Sequence, residues 1–277
     1  MDSSTPTDAP NVPPATKAAS LPDILIGTSL KMYFSHAQTL DWVAKVSALA
    51  RRHPTVASGA VGLFVLPQFP SIPASKEIAG PLLVGAQNLA AVDSGPWTGE
   101  VSATVLAEVG CRFAEIGHAE RRRHFHETDD AIRAKTATAV HHGLIPLICV
   151  GEEIATSPEK ATAEVVLQIR YALPTATSEL PRPMTVVFAY EPVWAIGAAE
   201  PADPGFISDV CNAVRSRTRA QFPVLDFRLI YGGSARPGLF TQLGTSVDGL
   251  FLGRFAHDPF SVQEILDEAD AVIKLSP

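Results

Sequence analysis

From Leu21 onward the sequence repeats one pattern eight times: a short, β-rich apolar run, then a stretch whose apolar residues step by three and four. The runs are Ile24 to Leu30, Val61 to Leu66, Leu82 to Ala86, Arg112 to Gly117, Leu144 to Val150, Thr185 to Tyr190, Phe227 to Tyr231 and Val247 to Leu252. Between them, Leu40, Val43, Val46 and Ala50 mark one helical face. Val166, Ile169 and Leu173 mark a second, and Ile207, Val210, Cys211 and Val214 a third; Val262, Ile265, Leu266 and Val272 end the series. A strand that is continuously apolar is buried on both faces, so the pattern implies a parallel sheet covered by helices. Eight unbroken units can close into a (β/α)8 barrel, which takes about 250 residues, and the chain has 277. The competing open, doubly wound sheet usually carries Gly-x-Gly-x-x-Gly after its first strand, and none stands there. The expected organisation is one α/β barrel domain over residues 21–277. Before it, residues 1–20, rich in Ser, Thr, Pro, Ala and Asp, read as a disordered tail with neither the basic start nor the apolar centre of a secretory signal.

Composition removes several classes of function. A net charge of −7 argues against nucleic acid as the main partner, since phosphate backbones are held by clustered Lys and Arg. No apolar run reaches the roughly 20 residues of a membrane span. Cys111, Cys149 and Cys211 are odd in number and lie in or beside strands and buried helix faces, which speaks against a disulfide framework and suits a reducing cytoplasm. The eight His show no metal-ligand spacing: His141 and His142 are adjacent, so they do not share a helix face, and His124 and His126 read as a solvated helix start beside Arg121 to Arg123.

In a parallel barrel, functional groups gather at the C-terminal ends of the strands. The first run ends in Gly27-Thr28-Ser29-Leu30-Lys31-Met32, the fourth in Gly117-His118-Ala119-Glu120-Arg121-Arg122, and the sixth in Tyr190-Glu191-Pro192-Val193-Trp194-Ala195-Ile196-Gly197. The seventh gives Tyr231-Gly232-Gly233-Ser234 and the eighth Leu252-Gly253-Arg254. Singly, each has a bland explanation: a structural histidine, a solvated lysine, a turn. Together, a Lys, a His, a Glu and two Gly-rich loops on different strands of one barrel converge on a single mouth.

These motifs resemble the triosephosphate isomerase family from about Ile24 to the C-terminal helix, which implies a TIM barrel and a cofactor-independent aldose/ketose isomerase of a short phosphorylated sugar. The resemblance implies Glu191 as the base that moves a proton between adjacent carbons and His118 as the neutral electrophile that stabilises the enediolate. It makes Lys31 a fixed positive charge and Glu120 a second carboxylate near it. Phosphate would lie on backbone N–H groups of Gly197, Gly232, Gly233, Ser234 and Gly253, where a Cβ would hold the anion away. Ala195 to Ala199, between Pro192-Val193-Trp194 and Glu200-Pro201-Ala202, suit a lid that excludes water. Gly85-Ala86-Gln87-Asn88 and Trp97-Thr98-Gly99-Glu100 resemble the family's dimer loop, implying a homodimer. No metal or cofactor is required for proton transfer.

Five positions depart from the family. Ser29-Leu30-Lys31 stands where Asn-Trp-Lys is usual, replacing a substrate-facing amide with a shorter hydroxyl. Gly253-Arg254 stands for Gly-Gly, and the guanidinium could grip phosphate in two-pronged fashion. Ala119 replaces a Ser and Glu200 a lid Lys. Glyceraldehyde 3-phosphate and dihydroxyacetone phosphate are the first substrate pair to consider. The alternative, suggested by Ser29 and Arg254, is a paralogue acting on a four-carbon ketose phosphate of polyol breakdown. A barrel turned inactive binding protein ranks last, because base, electrophile and lysine all persist.

Overall fold

The computed structural model describes residues 21–174 and 184–275; the tail expected over 1–20 lies outside them. Eight parallel strands pair in sequence order and β8 returns to β1, closing the barrel. They are β1 (Ile24–Ser29), β2 (Val61–Leu66), β3 (Leu83–Ala86), β4 (Phe113–Ile116), β5 (Ile145–Val150), β6 (Thr185–Tyr190), β7 (Asp226–Tyr231) and β8 (Gly249–Leu252). Two match the sequence-derived runs and six differ by one or two residues. The ladder ends where the backbone turns: Gly117 adopts φ 73° and Lys31 φ 48°, so β4 and β1 stop just short of them.

The α-helices of the described residues are α1 (His36–Arg52), α2 (Pro54–Ala57), α3 (Ile72–Ile78), α4 (Ala103–Glu108), α5 (Ala119–Phe125), α6 (Asp129–His141), α7 (Pro158–Ala172), α8 (Pro204–Gln221), α9 (Leu239–Leu243) and α10 (Pro259–Leu275). Ser35 caps α1 in a reciprocal capping box with Gln38, and Asp203 caps α8 through the N–H of Phe206. The buried stripe Val43, Val46, Ala50 of α1 and Ile207, Val210, Cys211, Val214 of α8 is the one the periodicity marked. Leu40 is only half-buried, and Thr39 takes the inner position beside it.

Closure divides the core in two. Leu25, Phe64, Leu66, Phe113, Leu147, Val187, Ile230 and Phe251 fill the lumen, while the other strand face packs against the helices. Phe64 lies in contact with Phe113 and Phe251, and a Cβ on Gly27 would meet its ring at 1.9 Å, so Gly27 is what lets the aromatic lie across the lumen. Neighbours on β4 alternate accordingly: Phe113 points inward, Ala114 and Ile116 outward. The three cysteines are buried and free. His124 and His126 are exposed, but they stand at the C-terminal end of α5, with His126 at its left-handed cap; the helix begins at Ala119, so the reading as a helix start is corrected. No helix of the described residues is long and apolar enough to cross a membrane, and none of their His, Cys, Asp and Glu groups could hold a metal ion.

Candidate active site

Strand ends β1, β4 and β6 bring Lys31, His118 and Glu191 together. Glu191 Oε2 lies 3.4 Å from His118 Nε2, both side chains being buried. That oxygen has no hydrogen-bond partner among the described residues, an expensive state for a buried carboxylate atom. The carboxylate leans on Gly232, where a Cβ would meet Oε1 at 2.4 Å, so β7 must offer a bare backbone here. The His118 ring is oriented by its place at the start of α5: Nδ1 accepts the Glu120 N–H at 3.1 Å. With Nδ1 an acceptor, the ring's own N–H is Nε2, on the Glu191 side.

Lys31 Nζ donates to Glu120 Oε1 at 2.7 Å. Burial lowers the ammonium's pKa, but the hydrogen bond to Glu120 and the charges of Glu191, Glu120 and Glu115 outweigh it, leaving the group raised and cationic. Glu120, half-exposed, is held below the usual carboxylate range because Lys31 more than offsets burial. The carboxylate expected near Lys31 is thus paired with it directly. The left-handed backbone of Lys31 is fixed by Gln87, whose Nε2 donates to the carbonyls of Lys31 and Leu66 at 3.0 and 2.9 Å.

A buried network supports the β4 end. Glu127 accepts from Gly117 N, Arg121 Nε and Lys135 Nζ, and Lys135 also donates to Asn88 Oδ1 at 2.7 Å. Burial tends to raise Glu127, but Lys135 and Arg121 hold it below the usual range. This positions the turn that presents His118, and sequence reading did not find it.

The segment after Glu191 lies against β7. Trp194 Nε1 donates to Glu152 Oε1 at 2.8 Å, and the Tyr190 hydroxyl reaches Glu152 Oε2 at 3.1 Å, anchoring the start of the segment. At its far end, Tyr231 Oη accepts from Ala202 N at 3.3 Å and donates to Gly233 O at 2.7 Å. Ser234 Oγ shares its proton between Ala195 O and Ala198 O, and Arg236 grips Glu200 with two nitrogens. Glu200 therefore ties the segment after Glu191 to the loop after β7. Arg254 is exposed and reaches Gly197 O at 3.5 Å, which brings it to the lid edge. Gly232, Gly233, Ser234, Gly197 and Gly253 thus ring one side of the mouth.

Glu115, on β4, is a site neighbour that no local motif announces. It accepts from Ser29 Oγ at 3.1 Å and stands 3.9 Å from Cys149 Sγ. The signal for it was a lone carboxylate in an apolar run.

Barrel, strand-end carboxylate, imidazole and ammonium define an isomerase of the (β/α)8 class. The family model for triosephosphate isomerase matches residues 24–269, and the chain belongs to that family. It is 50% identical over 250 residues to an L-erythrulose-1-phosphate isomerase of Pectobacterium atrosepticum, covering 89% of this chain and 95% of that one. It is 35% identical to a triosephosphate isomerase of Thermus thermophilus, covering 83% and 92% of the two chains. The solved triosephosphate isomerase of Bartonella henselae superposes with a TM-score of 0.74 at 27% identity, over 90% of this chain and 99% of its own. The chain is accordingly a sugar-phosphate isomerase, an intramolecular oxidoreductase of this family.

Proposed function

We propose that the chain isomerises a four-carbon ketose phosphate of the L-erythrulose 1-phosphate type. The relatives favour this reading over the triose phosphate placed first from sequence, because the 50% match carries that name and the triosephosphate isomerase match is 35%. The observation that carries the chemistry is the unpartnered, buried Glu191 Oε2 beside His118 Nε2.

In erythrulose 1-phosphate, C1 carries phosphate, C2 the carbonyl, C3 a hydroxyl and C4 a hydroxymethyl group. A carbonyl can move only to C3 without expelling the phosphate. Glu191 takes the C3 proton, and the C2 oxygen becomes an enediolate oxygen stabilised by His118 Nε2–H and the Lys31 charge. Returning the proton to C2 while the C3 hydroxyl proton passes to the C2 oxygen leaves a ketone at C3 and a hydroxyl at C2, an erythrulose 4-phosphate. No electron acceptor is needed. Phosphate binds backbone N–H groups of Gly197, Gly232, Gly233, Ser234 and Gly253, with Arg254 at its edge, and the lid keeps water from the enediolate.

We further infer a cytoplasmic homodimer. Its contacts would come from the exposed Trp97–Thr98 loop and Met32, whose side chains are 56% and 86% exposed for Trp97 and Met32. A sedimentation series is expected to give a dimer that W97A weakens; a monomer at all concentrations refutes it. For the reaction, kcat/KM is expected to be at least about tenfold higher for L-erythrulose 1-phosphate than for dihydroxyacetone phosphate. Equal values, or a preference for the triose, would contradict the four-carbon reading.

A further inference from the structure

Glu115 takes no part in the proton transfer, yet it occupies a costly position. It projects into the lumen three residues before His118, is 3% exposed, and is surrounded by Phe113, Leu147 and the other lumen side chains. Its side-chain partners are the Ser29 hydroxyl and the Cys149 thiol; no cation of the described residues forms an ion pair with it. A buried carboxyl without a counter-ion does not stabilise a fold, and such groups gather at functional sites.

Charged and polar groups close over it from around the barrel: Ser29 and Lys31 at the end of β1, His118 past β4, Cys149 on β5 and Glu191 past β6. Burial, opposed by His118, Lys31 and Ser29 and assisted by Glu191, pushes Glu115 up to about 7. Near neutrality it can hold a proton, and so can donate a hydrogen bond as well as accept one.

Relative to a triose phosphate, erythrulose 1-phosphate has one added hydroxymethyl group, on the reacting carbon remote from phosphate. With phosphate at the β6, β7 and β8 loops, that end of the substrate faces β1 and β4. Ser29, shorter than the family's usual amide, leaves room there, and Glu115 lies directly behind it. We propose that Glu115, together with Ser29, is the specificity-determining site that binds the terminal hydroxymethyl group of a four-carbon ketose phosphate. This rests on the four-carbon reading above.

The test compares wild type, E115V and E115Q. It measures kcat/KM for L-erythrulose 1-phosphate and the inhibition constant of dihydroxyacetone phosphate as competitor, with thermal melting as the check on folding. E115V is expected to lose about 100-fold in kcat/KM while the three-carbon competitor binds within about threefold of wild type. E115Q, which keeps a donor and an acceptor, is expected to stay within about tenfold. A loss under tenfold in E115V, or an equal loosening of both ligands, overturns the assignment. Should E115V not fold, S29A decides: a loss confined to the four-carbon substrate supports the site, and an equal change for both ligands overturns it. Wild type inactive on erythrulose 1-phosphate would instead bring down the four-carbon reading, and this inference with it.

Discussion

The two sides of the barrel mouth are built on opposite principles. On the β6 to β8 side the groups proposed to hold the phosphate are mostly backbone, at Gly197, Gly232, Gly233 and Gly253, with Arg254 at their edge and the segment after Glu191 tied down by Tyr231, Ser234 and Arg236. On the β1 to β5 side the polar groups gathered there are side chains, namely Lys31, Ser29 and His118, with Glu115 and Cys149 buried beneath them. Backbone N–H groups suit any phosphate ester and ignore what it is attached to. Side chains read the carbon skeleton, so substrate identity is expected to vary on that side alone.

The sharpest way to break this contrast is through Glu191, the proposed base between the two sides. E191Q is expected to lower kcat about 10³-fold or more, with KM little changed, in steady-state assays. Retained turnover would place the base elsewhere. Next comes the thermodynamic cost of the side-chain half. Glu115 is raised from 4.5 to about 7, so the folded protein holds a proton that the unfolded chain has released across that window. Stability conferred by the neutral form is complete below about 4.5 and is lost as pH rises to about 7. At about 1.4 kcal/mol per pH unit, E115Q is expected to be more stable than wild type by about 3 kcal/mol at pH 8 and nearly equal at pH 4, by denaturant unfolding. A gain independent of pH would contradict this.

Smaller effects are expected on the backbone half. Y231F removes the hydroxyl that joins Ala202 N to Gly233 O, and is expected to cost about tenfold in kcat and to release inorganic phosphate by elimination, measured with a coupled phosphate assay. R254A is expected to raise KM about three- to tenfold for three- and four-carbon substrates alike. A substrate-dependent effect of R254A would blur the division between the halves.

The same contrast explains what the sequence made legible. Glu191, His118 and Lys31 follow strand ends in local motifs, and their convergence needs only the barrel order. The lumen is different. In a strand buried on both faces, alternation does not say which residues point inward, so Glu115 in Arg112 to Gly117 looked like any interruption of an apolar run. Only closure, which sets Phe113 in the lumen and Ala114 outside it, fixes Glu115 beneath the site. Likewise Glu127, Lys135 and Asn88 meet across 47 positions or fewer, and Glu200 meets Arg236 across 36, distances that no local pattern spans. Strand limits moved by a residue or two because they depend on backbone turns such as Lys31, a left-handed non-glycine that propensity does not foresee.

The central claim, proton transfer between the inner carbons of a four-carbon ketose phosphate, is tested most directly by NMR of L-erythrulose 1-phosphate incubated with the enzyme in deuterated water. The account predicts that the carbonyl moves to the neighbouring carbon and that solvent deuterium enters at the former carbonyl carbon, faster than dihydroxyacetone phosphate exchanges under the same conditions. Erythrulose phosphate recovered unchanged and unlabelled, beside rapid labelling of the triose phosphate, would contradict it.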